Sequence, residues 1–244
     1  MTNNEATKYA DKYLNEITEP INKSVKFNYD AYWKVLTKRI PYESPDFYAV
    51  EGDTIYIFEH FSFDASKRTK KGSKRKAELG WIKSEFNKES IGKIELHKSG
   101  QLETDVSLND YLKNLYESFD DHYQKIELYK KNICNTLGCD LTRYKFKVTF
   151  MIEDSGVFGT TIDTGSIELV KPVFTKEFLQ FLKKKEQVDY VISSVSLGER
   201  RIESWFYTRE SHDFFEESAI DLLSQKINDS KPDYIQFSLF VPRK

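Results

Sequence analysis

Two acidic residues beside a tight turn carry the clearest chemical potential in this sequence. Glu59 lies in the run Ile55-Tyr56-Ile57-Phe58-Glu59-His60-Phe61-Ser62-Phe63, and Asp46 follows Pro45 just upstream. In a regular strand successive side chains alternate faces, so Ile55, Ile57, Glu59, Phe61 and Phe63 share one side. Glu59 is then a carboxylate inside a row of four large apolar groups. Burying an unpaired carboxylate is costly, so such a group shifts its pKa or finds a cation.

The turn Glu51-Gly52-Asp53 joins the two segments and sets where Asp46 falls. With Glu51-Gly52 as the two-residue turn, Asp46 stands opposite Ile57; with Gly52-Asp53 it stands opposite Glu59. Both registers put the two carboxylates on one face, whereas a three-residue turn separates them. Two converging carboxylates repel unless a hard cation such as Mg²⁺ sits between them. The competing readings are plainer: Asp46 as a turn acid, and Glu59 satisfied by an Arg or Lys from a helix. His60 projects to the opposite face with Tyr56 and Phe58, and reads as a hydrogen-bonded histidine rather than a base.

A cationic segment begins three residues after this strand. Residues 66–76 hold seven basic groups and no acid, including Lys67, Arg68, Lys70, Lys71, Lys74 and Arg75. The whole chain has 37 Lys+Arg against 39 Asp+Glu, a formal net charge of −2. Without the segment it would carry 30 basic against 39 acidic residues, about −9. The average excludes a globally basic nucleic-acid binder, but the local run is suited to phosphates. A solvated loop without a partner is the alternative. Two carboxylates for a metal and a cationic arm for phosphates are the parts of metal-assisted phosphodiester hydrolysis.

Pro45-Asp46, thirteen residues and then Glu59-His60-Phe61 resembles the PD-(D/E)XK nuclease superfamily, the restriction-endonuclease-like fold. The resemblance implies Asp46 and Glu59 as Mg²⁺ ligands and a mixed α/β sheet flanked by helices. It also implies a Lys two residues after the second acid, where this chain has Phe61. Lys67 or Lys70 is the candidate replacement, with Lys67 taken as the catalytic lysine. Glu16 and Glu19 are candidates for the Glu that the family often carries on its first helix, with no motif to select between them. Gln124 and Tyr129 approximate a Gln-x3-Tyr pattern, one residue too far apart. The implied partner is nucleic acid, DNA ahead of RNA, in bacterial or phage defence. The alternatives are a nuclease-like fold that has lost catalysis and works by binding, or an acidic inhibitor or assembly subunit acting on a protein partner.

The elements that must position these groups follow from periodicity. Helices are expected over 3–18, 29–39, 76–88, 107–138, 175–185 and 213–228. Strands are expected over 46–50, 54–63, 91–97, 144–153, 189–195, 201–207 and 233–241. The strand at 144–153 alternates Tyr144, Phe146, Val148, Phe150 and Ile152 with more polar residues, the pattern of a half-buried strand. Gly138 fits a helix stop. These elements predict one α/β domain over 1–244, with a nuclease-like core over about 1–155 and an α/β extension over 156–244. Two lobes split near residue 140 are the alternative.

Other chemistries are poorly served. Cys134 and Cys139 do not make a disulfide framework in a chain of 244 residues, and C-x4-C without a second pair is not a zinc site. No P-loop, dinucleotide-binding glycine pattern or nucleophile elbow occurs. The two isolated cysteines fit a reducing, cytoplasmic setting. No apolar run approaches a membrane span, and the polar residues 1–16 do not resemble a secretory signal. Trp81 and Phe86 read as helix packing, and Lys183, Lys184 and Lys185 as dipole-compatible residues at a helix end.

Overall fold

The computed structural model describes residues 8, 10–11, 14, 29–63, 68–69, 72–73, 100–105, 108–154, 157–161, 167–169, 172–197, 200–221 and 234–240. The elements in chain order begin with α1 (Tyr29–Thr37), β1 (Ile40–Pro41), β2 (Phe47–Glu51), β3 (Thr54–Phe63), β4 (Arg68–Thr69), β5 (Gly72–Ser73) and β6 (Gly100–Asp105). Then come α2 (Leu108–Tyr123), α3 (Ile126–Leu137), β7 (Lys145–Asp154), β8 (Val157–Thr161) and β9 (Ile167–Leu169). The last are α4 (Lys176–Lys183), β10 (Tyr190–Leu197), β11 (Arg200–Thr208), α5 (His212–Ser218) and β12 (Tyr234–Phe240).

A six-stranded mixed sheet, ordered β1-β2-β3-β7-β10-β11, is flanked by helices. The β2–β3 and β10–β11 pairs are antiparallel, while β3, β7 and β10 run parallel. Parallel neighbours need long crossovers. Between β3 and β7 the chain passes through α2 and α3, and between β7 and β10 through α4. β7, from beyond residue 140, therefore lies between a strand from the first half and one from the second. A separate antiparallel sheet is ordered β6-β12-β8-β9, and β4 pairs with β5.

Alternation divides the core between the sheet's two faces. One face carries Ile55, Ile57, Phe61, Phe63, Val148, Phe150 and Ile152 against Leu115 and Phe119 of α2, Ile126 and Ile133 of α3, and Phe178 and Leu182 of α4. Each fully buried Leu or Phe there contributes roughly 1.5–3 kcal/mol. The other face carries Phe58, Met151, Ile192 and Phe206 against Tyr32, Val35 and Leu36 of α1, together with Ala10 and Leu14. Those two, with Lys8 and Asp11, are helical, within the helix expected over 3–18.

Several expectations need correction. β7 is not half-buried: from Val148 to Asp154 both faces are covered, because α2, α3 and α4 pack on one face and α1 on the other. Thr149 tolerates that burial by pairing its hydroxyl with Tyr32 OH at 2.9 Å. The helix expected over 107–138 is two helices separated at Gln124 and Lys125; its stop at Gly138, with φ 63°, is as predicted. α5 ends at Ser218, and Ala219 is extended, so the helix expected over 213–228 breaks there; residues 222–228 lie outside the described residues. The helix expected over 76–88 and the strand over 91–97 lie outside the described residues. No helix among the described residues is long and apolar enough to cross a membrane.

Candidate active site

The hairpin selects one of the two registers compatible with a shared carboxylate site. Glu51 pairs with Thr54 and Phe47 with Phe58, leaving Gly52 and Asp53 as the two turn residues. Gly52 has φ 61°, a value that suits glycine in such a turn. Continued by one residue, the register sets Asp46 opposite Glu59, on the face of Tyr48 and Ile57. Side chain and backbone lock the two together. The Asp46 N–H donates to Glu59 Oε2 at 3.3 Å, and the His60 N–H donates to Asp46 Oδ2 at 2.8 Å.

Glu59 is 7% exposed and is met by donors from two helices. Tyr129 OH on α3 donates to Glu59 Oε1 at 2.6 Å, and His122 Nδ1 on α2 stands 2.6 Å from the same oxygen. An imidazole nitrogen facing a carboxylate at this distance acts as the N–H donor. The expected Arg or Lys partner is thus replaced, among the described residues, by a phenol and an imidazole. The His122 ring stacks on Phe61 with centroids 4.5 Å apart and planes 11° apart. Phe61, at the position where the family resemblance calls for Lys, therefore orients the histidine that holds Glu59.

The electrostatics follow from this crowding. Burial, then the charge of Glu59, pushes the Asp46 carboxyl up to about 6, against the opposing pull of the His60 N–H. Burial and the neighbouring Glu59 likewise push the Tyr129 hydroxyl well above its ordinary value, so it remains a proton donor. Among the described residues nothing donates a hydrogen bond to Asp46 Oδ1, and Glu59 Oε2 accepts one long bond. Those two oxygens retain lone pairs, and like-charge repulsion between their carboxylates is what a hard divalent cation relieves. The donor chemistry therefore fits Mg²⁺ through two carboxylates, with water completing the shell. No group of three or more His, Cys, Asp or Glu arranged for a metal occurs among the described residues.

Asp46 and Glu59 are thus brought together. Lys67, Lys70, Lys71, Lys74 and Arg75 lie outside the described residues, as do Glu16 and Glu19. Arg68 is in β4, paired with Ser73, and only its backbone is described. His60 does lie on the opposite face, where its Nε2 is 3.3 Å from Glu153 Oε2. Gln124 is exposed, while Tyr129 reaches the site. His122 was not anticipated. Its signal is positional: His122 follows Leu115 and Phe119 on the inward stripe of α2, where a polar ring needs a partner, as Tyr129 does between Ile126 and Ile133 on α3.

No family model, curated protein or solved structure matches this chain.

Proposed function

We propose that this protein is a divalent-cation-dependent nuclease that hydrolyses phosphodiester bonds, with Asp46 and Glu59 as the cation ligands. The observation that carries the reading is the pairing of Asp46 against Glu59 across the hairpin, close enough for burial and Glu59 to hold Asp46 near a pKa of 6. A bound Mg²⁺ would supply a water of lowered pKa and neutralise charge developing on the phosphate. The chain's own groups hold the acids still. The Asp46 and His60 N–H groups fix one oxygen of each carboxylate, and Tyr129 with His122 fix Glu59 Oε1. In this reading Lys67 replaces the ammonium lost at Phe61, and Arg68, Lys70, Lys71, Lys74 and Arg75 contact nucleic-acid phosphates.

One observation favours a second reading, a nuclease-like fold that binds nucleic acid without cutting it. Both short donors to Glu59 converge on a single oxygen, and an aromatic pair, Phe61 and His122, stands at the family's lysine position. The test is cleavage of plasmid DNA and of RNA by the full chain with Mg²⁺ or Mn²⁺. The expected result is metal-dependent cleavage reduced about 100-fold or more by Asp46→Asn and by Glu59→Gln. Salt-sensitive binding without cleavage of either substrate selects the second reading. Cleavage that survives both substitutions removes the site.

A further inference from the structure

We infer that Cys134 and Cys139 form a reversible intramolecular disulfide, a modification site independent of the carboxylate pair and of the nuclease reading. The backbone brings the two residues together. Gly138 ends α3 in the left-handed conformation, φ 63° and ψ 32°, and the Cys139 N–H then donates to the Cys134 carbonyl at 2.9 Å. This helix-ending turn folds the chain back, so residues five apart become neighbours. Their sulfurs meet: the Cys139 thiol donates to Cys134 Sγ at 2.8 Å, and both cysteines are free. A bond between them needs the two sulfurs to close from 2.8 Å to about 2.05 Å.

The two thiols differ in access. Cys134 is 3% exposed, and burial, followed by the Cys139 contact, pushes its thiol up to about 12. Cys139 is half-buried and open to a small oxidant. A low-molecular-weight disulfide such as oxidised glutathione supplies the oxidising equivalents. The Cys139 thiolate attacks one of its sulfurs, expelling a glutathione thiolate that takes up the Cys139 proton. Cys134 sulfur then attacks the Cys139 sulfur of this mixed disulfide, and the second glutathione leaves with the Cys134 proton. One disulfide is reduced, one is formed, and two small thiols are released. The helix end that would carry the cross-link is joined to the β2–β3 hairpin by Tyr42. Tyr42 OH donates to the Asn132 carbonyl at 3.1 Å, and the Tyr42 N–H donates to the Asp46 carbonyl at 2.8 Å.

The chain contains two cysteines, which makes the assay unambiguous. The full-length protein is equilibrated in graded ratios of reduced to oxidised glutathione, quenched with an alkylating agent and weighed intact. The expected product has lost two hydrogens, takes up no alkyl group, forms to the same extent at any protein concentration and disappears in excess reduced glutathione. Cys134→Ser and Cys139→Ser should each abolish it. Three outcomes would overturn the inference: both thiols alkylated at every ratio, a glutathione adduct that never resolves, or a disulfide-linked dimer on a non-reducing gel.

Discussion

Two buried or half-buried carboxylate positions beside the six-stranded sheet are handled in opposite ways. Toward the start of β7, Asp189 accepts from Lys147 Nζ at 2.8 Å and from the Val148 N–H at 2.9 Å, and Glu210 lies 3.8 Å from the same ammonium. Burial works against the Lys147 charge, but Asp189 outweighs it and the lysine pKa is raised. Charge is matched by charge there. Further along β3, Asp46 and Glu59 face each other and are met by backbone N–H groups, a phenol and an imidazole. The first arrangement is complete in itself and reads as structural. The second leaves like charges adjacent and lone pairs unused, the condition that a functional site maintains at a cost to stability.

The largest effect that tests this contrast is expected from Tyr129→Phe. It deletes a short hydrogen bond to a buried carboxylate, and bonds to charged groups contribute about 1.5–3 kcal/mol. Urea denaturation should show a loss of about 2 kcal/mol or more. A loss no greater than that from breaking the Lys147–Asp189 pair would end the distinction.

Asp46→Asn should act in the opposite direction. The Asp46 carboxyl binds its proton more tightly in the fold than in the unfolded chain, where its ordinary value is 3.8. Its contribution therefore supports the fold below about pH 4 and is lost as pH rises through about 6. Asparagine cannot ionise and keeps an acceptor for the His60 N–H. The variant should gain about 2 kcal/mol over wild type above pH 6 and nothing at pH 3.5, in thermal unfolding without added metal. Mg²⁺ should narrow that gap by stabilising wild type selectively. A gap unchanged by Mg²⁺ and Mn²⁺ would argue against a cation at this pair.

The smallest effect is expected from Lys147→Met. Its side chain is a third exposed, and ion pairs at such positions contribute under about 1 kcal/mol. Asp189 also keeps its bond from the Val148 N–H. Denaturation midpoints close to wild type, with added salt making little difference, are the expected result.

Much of the scaffold could be read locally. β3 runs from Thr54 to Phe63 as its composition indicates, and α3 stops at Gly138 because glycine accepts the left-handed turn. The misreadings share one physical origin. β7 looked half-buried because Lys145, Lys147, Thr149 and Glu153 are polar, yet α1 covers Met151 and its neighbours from far away in sequence. α5 breaks after Ser218 inside an amphipathic pattern, giving way to extended chain where Ile220 bridges Thr175 beside the start of α4.

The same division holds at the candidate site. The sequence by itself determined a carboxylate in an apolar row and a turn beside it, because strand alternation is a property of adjacent residues; it put a second acid on the same face only for a two-residue turn. Only the tertiary structure decided that Gly52-Asp53 closes the hairpin. It alone brought His122 and Tyr129, 63 and 70 residues away, to one oxygen of Glu59. Which donor reaches a buried acid depends on how helices cross a sheet, and that is set by packing across the whole core.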